Sequence, residues 1–147
     1  MSMFSALEIS GSALNAERQR AEVVAANMAN AETTHTPEGG PYRRKEVVFM
    51  SSGTMPFRMM LTGFHSGMAG ALPAVRVQQV VEDPTAPLMR YDPGHPEANK
   101  EGYVAYPAIN PIQEMVDLMG AVRSYQLNAS AINASKQMLQ QAIELLK

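Results

Sequence analysis

The sequence predicts a mainly α protein in which two long terminal helices pair as an antiparallel coiled coil around a short-stranded β and loop lobe. Three observations carry that expectation. Seven-residue apolar repeats run through both ends of the 147-residue chain. Between Thr36 and Pro107 the texture changes, with nine of the ten prolines and eight of the ten glycines falling there. Short β-branched runs interrupt that middle stretch, so the helical period gives way to strand signals.

The C-terminal repeat is the stronger one. From Met115, one heptad set holds Met115, Val122, Ala129, Lys136 and Ile143, and the set three residues on holds Leu118, Tyr125, Ile132, Leu139 and Leu146. Only Lys136 breaks the apolar seam, and such regularity describes a long helix that wants a partner of similar length. Asn110 can cap its first amides, Pro111 suits the first turn, and Gln113 stands where a capping box takes Glu or Gln. Between Ser124 and Ala142 the only charge is Lys136; amides and hydroxyls such as Gln126, Asn128, Ser130 and Gln137 fill the other faces. A helix back that meets bulk water usually carries more charge, so this surface reads as one that meets protein or lines a polar passage.

At the other end, Leu7, Leu14, Ala21 and Met28 recur every seven residues from about Phe4 to Asn30, with Val24 and Ala25 widening the stripe. Frequent alanine favours helix and allows close approach of neighbours. Asn30 can take the left-handed conformation that ends a helix, and Thr33, Thr34, Thr36 and Pro37 discourage its continuation. Residues 1–32 with 108–147 then form a discontinuous helical assembly domain, and 33–107 an inserted lobe and linker. Glu46–Met50, Ala74–Val81 and Gly102–Tyr106 read as strands, and the Met-rich stretch 51–72 as a loop.

Burying each large seam side chain contributes roughly 1.5–3 kcal/mol. Ordering some sixty helical residues costs about 1–2 kcal/mol each for the backbone alone. The terminal helices are therefore expected to gain their order from neighbouring chains.

Composition narrows the function. A net charge of −2 and a lone basic cluster, Arg43-Arg44-Lys45, read as a solvated strand end, give no nucleic-acid surface. The chain has no cysteine, hence neither disulfide nor thiolate metal site. No apolar run approaches the ~18–20 residues of a membrane span, and the first residues lack the pattern of a cleavable signal. Asp92, His95 and Glu97 are residue types a metal accepts, but prolines flank His95 and the segment reads as a rigid turn. No nucleophile elbow or phosphate-binding glycine pattern occurs. The expectation is no catalytic, cofactor-binding or metal residue, no cofactor and no small-molecule substrate.

Two motifs then carry a resemblance. Ala25-Ala26-Asn27-Met28-Ala29-Asn30-Ala31-Glu32-Thr33 resembles the signature closing the first helix of the flagellar rod and hook axial proteins, carried by Asn27, Asn30 and Thr33. Asn110-Pro111-Ile112-Gln113-Glu114-Met115, continuing through Arg123, Tyr125 and Asn128 to Lys136, resembles that family's terminal-helix signature. The linker Tyr91–Ala98 with Glu101–Val104 is similar to the short proximal-rod type. Thr36–Tyr42 departs from the glycine and aromatic residue usual in the wider family.

The resemblance implies a structural subunit of the bacterial flagellar basal-body rod, exported unfolded by the flagellar type III apparatus without a cleaved signal. It implies helical assembly in the periplasm through the terminal helices, with copies of itself and other rod proteins as partners. Two other readings stand beside it: a small metal-dependent enzyme using Asp92, His95 and Glu97, and a two-helix adaptor holding a single partner helix.

Overall fold

The computed structural model describes residues 3–52 and 74–145. The Met-rich stretch from 53 onward and Leu146 lie outside the described residues. Helix α1 spans Met3–Ala29, strand β1 Lys45–Ser52, β2 Ala74–Glu82, β3 Leu88–Tyr91, β4 Tyr103–Tyr106, and helix α2 Pro111–Glu144. The architecture is two long helices, of 27 and 34 residues, with two small two-stranded sheets, β1–β2 and β3–β4. β3 carries no signal in the sequence: its four residues, all exposed, neither alternate nor form an apolar run.

The helix ends follow from local chemistry. Asn110 Oδ1 accepts the Ile112 N–H at 3.0 Å, a side-chain cap on α2, and Pro111 occupies the turn whose amide has no partner to lose. Asn30 does not end α1 by turning left-handed, because among the described residues only glycines have positive φ. Instead its Nδ2 donates to Ala26 O at 2.9 Å, and its Oδ1 accepts the Thr33 hydroxyl at 3.2 Å. The chain then reverses: Tyr42 N–H donates to Thr33 O at 3.0 Å, and Gly39 and Gly40, both at positive φ, form the tip.

The chain divides into two compact units, each taking part of both helices. One comprises Met1–Gln19, Phe49–Gln78 and Val122–Lys147. Among its described residues the buried groups are small, Ser5, Ala16 and Ser135, and Ser12 Oγ links α1 to β2 by accepting the Val75 N–H at 3.1 Å. The other comprises Arg20–Val48 and Gln79–Ala121. Val24, Val104, Ile109 and Ala121 are buried there, but two of the largest fully enclosed side chains are polar, Glu114 and Asn27. This unit is held at its centre by hydrogen bonds more than by bulk.

In the second unit β3 and β4 pair antiparallel, Leu88 opposite Tyr106 and Tyr91 opposite Tyr103. The turn between them is tied by Asn99, whose Oδ1 accepts the Glu101 and Tyr103 N–H groups, each at 2.9 Å. Gly102 is required here. Its φ is +83°, and a Cβ would sit 2.8 Å from Tyr91 Cε2, because that ring lies over the glycine and edge-on to Tyr103. Gly120 of α2 is the opposite case, with nothing within 4 Å of the point where a methyl would stand.

Gly102→Ala is therefore expected to destabilise the chain by about 1 kcal/mol or more, and Gly120→Ala to stabilise it by roughly 0.5–1 kcal/mol. Urea unfolding followed by circular dichroism measures both; an unchanged midpoint for Gly102→Ala would contradict the close approach.

Candidate assembly site

The second unit is organised around the side chain of Glu114, in the first turns of α2. It is wholly buried. Its Oε2 accepts a hydrogen bond from Asn27 Nδ2 at 3.0 Å, and its Oε1 accepts one from Arg44 Nε at 2.6 Å. Arg44 also holds Glu46 and lies 3.8 Å from Asp117, which in turn lies 3.8 Å from Arg20. A carboxylate withdrawn from water is tolerated only when charge-assisted hydrogen bonds replace its hydration, and both of its oxygens are so occupied.

Asn27 does more than hold Glu114. Its Nδ2 also donates to Lys45 O at 2.8 Å, and its Oδ1 accepts the Lys45 N–H at 2.9 Å. The amide thus imitates a neighbouring strand, satisfying both backbone groups of Lys45 where β1 begins. The Tyr42 hydroxyl completes the set, donating to Asn27 Oδ1 at 3.2 Å. A single side chain of α1 therefore joins three pieces of chain: the end of α1, the arm Tyr42–Glu46 and the start of α2.

The charges leave their mark on titration. Burial, then the negative charges of Glu82 and Glu114, raise the Tyr42 phenol above its ordinary range. For Arg44, burial alone would lower the pKa; the hydrogen bonds to Glu114 and Glu46 outweigh it, and the group is raised.

The motif residues named from sequence fall in distinct places. Asn27, Asn30 and Thr33 are the α1 end just described, and Asn110, Pro111 and Glu114 the α2 start. Arg123 and Lys136 are exposed, and Asn128 Nδ2 donates back to Ser124 O at 2.9 Å within α2.

The apolar positions also divide. On α1, Leu7, Leu14, Ala21 and Met28 are half-buried, as are Leu118, Ala129, Ile132 and Leu139 on α2. Met115, Val122, Tyr125 and Ile143 are exposed. The fully buried positions of α2 come one residue earlier than the Met115 set: Glu114, Ala121 and Ser135, the second seven residues after the first and the third fourteen after the second.

One reading of the sequence is corrected, and the alternative of a metal-dependent enzyme finds no support in the placement of its residues. The basic cluster is not uniformly solvated, since Arg43 is exposed while Arg44 is drawn in by Glu114. Asp92, His95 and Glu97 do not converge: His95 Nδ1 accepts the Glu97 N–H, and the Glu97 carboxylate pairs with His35 at 3.2 Å. Among the described residues no three His, Cys, Asp or Glu side chains are placed to hold a metal ion. Among the same residues no helix is long and apolar enough to cross a membrane.

The two helical stretches that supply Asn27 and Glu114 to this node also match known families, while the arm Tyr42–Glu46 lies between the matched ranges. Residues 7–34 match the family described as "Flagella basal body rod protein", and residues 100–145 that described as "Flagellar basal body rod FlgEFG protein C-terminal". Over its whole length the chain is 43% identical to the flagellar basal-body rod protein FlgC of Bacillus subtilis, covering all of that protein. It is 35% identical to FlgC of Borreliella burgdorferi, covering 100% of this chain and 99% of that one. With FlgC of Escherichia coli O157:H7 the identity is 36%, over 99% and 98% of the two chains.

The chain belongs to the FlgC family of flagellar basal-body rod proteins. As a FlgC-type chain it is a structural component of the flagellar basal body and not an enzyme. Sequence reasoning finds Glu114 only as a motif letter and no role for Tyr42 or Arg44. A usable signal exists in Glu114 itself, a charge one position ahead of an apolar seam.

Asn27→Ala is expected to cost about 2–4 kcal/mol, since it strands buried and part-buried groups on two other segments, against about 1 kcal/mol for Asn30→Ala. Equal losses in urea titrations would contradict the node. The raised Tyr42 pKa has its own consequence: its contribution to stability is complete below the ordinary tyrosine pKa and is lost as pH climbs through the raised value. Tyr42→Phe should abolish that part of the alkaline loss, read from melting temperatures across roughly pH 9–12; an unchanged alkaline profile would contradict it.

Proposed function

We propose that this FlgC-type chain is built into the rod through its terminal helices, which contact copies of itself and other rod proteins in a helical array. The carrying observation is the outward face of α2 in the second unit. Ile112, Met115, Val116 and Met119 stand at i, i+3, i+4 and i+7 and are 76%, 52%, 55% and 58% exposed. They lie on the side of the helix away from the buried Glu114 and Ala121. A contiguous apolar helix face in water marks a protein-contact surface.

In the other unit the large apolar residues Leu127, Met138, Ile143 and Leu145 are exposed as well. Few large apolar side chains among the described residues are enclosed, so much of the available transfer energy is left for contacts with neighbours. Head-to-tail use of such faces yields an open helical array when the contact does not close into a ring.

Passage in an unfolded state through the flagellar type III apparatus into the periplasm fits a chain without cysteine. Unfolding it for transit gives up only a modest buried core. Contact with neighbours then supplies the apolar burial that the single chain lacks.

Met119→Asp tests the reading. An exposed substitution changes stability by within about 0.5 kcal/mol, so the purified chain should melt as the wild type does. Rod incorporation, measured by the amount of this chain in isolated basal bodies, should fall to background, and cells should not swim. Normal incorporation and motility would overturn the proposal, and binding that saturates at one partner helix would point to an adaptor.

A further inference from the structure

We propose that Glu114 is a latch through which the start of α2, the end of α1 and the arm Tyr42–Glu46 order together, so that a contact made on the outward face of α2 is transmitted to the arm. This coupling goes beyond rod assembly, because it rests on the bonding within one unit.

The two donors and two acceptor sites of the Asn27 amide are fully committed, and each Glu114 oxygen has a partner. The two oxygens of Glu114 go to two different segments, Asn27 on α1 and Arg44 on the arm, separated from it by 87 and 70 residues. The remaining capacity of Asn27 goes to Lys45 N–H, Lys45 O and the Tyr42 hydroxyl. If α2 leaves, Asn27 loses an acceptor and Arg44 loses its fully buried counter-charge. If the arm leaves, the buried carboxylate loses Arg44 and the buried amide loses Lys45 and Tyr42, so that each keeps only the other. Groups that share one low-dielectric network are released together, since each partial opening strands a polar atom.

The arm is tied at other points too, and its last two residues open β1, which pairs with β2. Tyr42 N–H reaches Thr33 O, and Arg44 O accepts the Asp83 N–H at 2.8 Å. The first lies at its margin and the second at its middle, and Lys45, where β1 begins, gives both backbone groups to Asn27. Glu114 and the four outward residues occupy the same two turns of α2, so a clamp on Met115 and Met119 fixes the Glu114 carboxylate as well. Two surfaces that bias one two-state element are coupled: the α2 face and the arm with its Thr36–Tyr42 loop.

The Lys45 amide is the direct probe, because its proton is donated to Asn27 Oδ1. Native-state hydrogen exchange on the full chain across a urea series should give one opening free energy and one urea slope for amides in residues 24–29, 43–48 and 113–120. Met115→Gly, which weakens α2 from its exposed side, should speed exchange about threefold at Lys45 as well as in α2. In Glu114→Gln, which keeps the shape but removes the charge, Lys45 should respond less to Met115→Gly than it does in the wild type. Independent opening of the arm in the wild-type series would overturn the latch, as would an unmoved Lys45 rate in Met115→Gly. Should Met115→Gly fail to fold, the wild-type urea series alone decides. Neither measurement involves rod incorporation, so its failure would leave the assembly reading standing, and the reverse.

Discussion

A carboxylate cannot sit in a protein interior unless something takes the place of water around it, and in this chain that demand is met at one point. Glu114 is enclosed completely and is held by an amide and a guanidinium from two other segments. An apolar side chain at this position could slide or turn with little change in energy. A buried charge with directional partners has one productive orientation, which gives the helix a fixed rotation about its own axis. Rotation is the variable that matters here. Turning α2 by one residue would bring Met115 inward and expel Glu114; with Glu114 fixed inward, Met115 and Met119 are fixed outward.

The other buried positions follow suit. Ala121 succeeds Glu114 by seven residues and is fully enclosed, while Val24 and Asn27 are the enclosed side chains of α1 in the same unit. Small or polar groups fill the inner side, and the large flexible apolar ones are left on the outer. A self-sufficient globule would reverse that allocation. The fold is thus complete in its polar bonding and incomplete in its apolar burial, a combination suited to a building block that must keep a defined shape on its own and yet adhere to neighbours.

The sequence makes the elements plain and leaves their rotation hidden. Helical period, the Asn110-Pro111 start and the Asn30–Thr33 end locate both helices to within a few residues, because capping chemistry is local. The seven-residue count selects the position set at Met115, whereas the enclosed set lies one residue earlier at Glu114, Ala121 and Ser135. Counting apolar letters cannot find an inner face made of a carboxylate, a methyl and a hydroxyl. β3 is silent for a related reason: its partner β4 supplies the buried residue, Val104, and β3 itself presents nothing but exposed side chains. Arg44 cannot be separated from Arg43 and Lys45 without knowing that a charge 70 residues away claims it.

Assembly of this kind requires that the apolar face of α2 be open in the single chain and covered in the rod. Hydroxyl-radical footprinting of Met115 and Met119, in the purified chain and in isolated basal bodies, measures this directly. Both methionines should oxidise rapidly in the free chain and be protected several-fold in the basal body. Equal oxidation in the two states would mean that the face stays bare after assembly, contradicting its role as the rod contact.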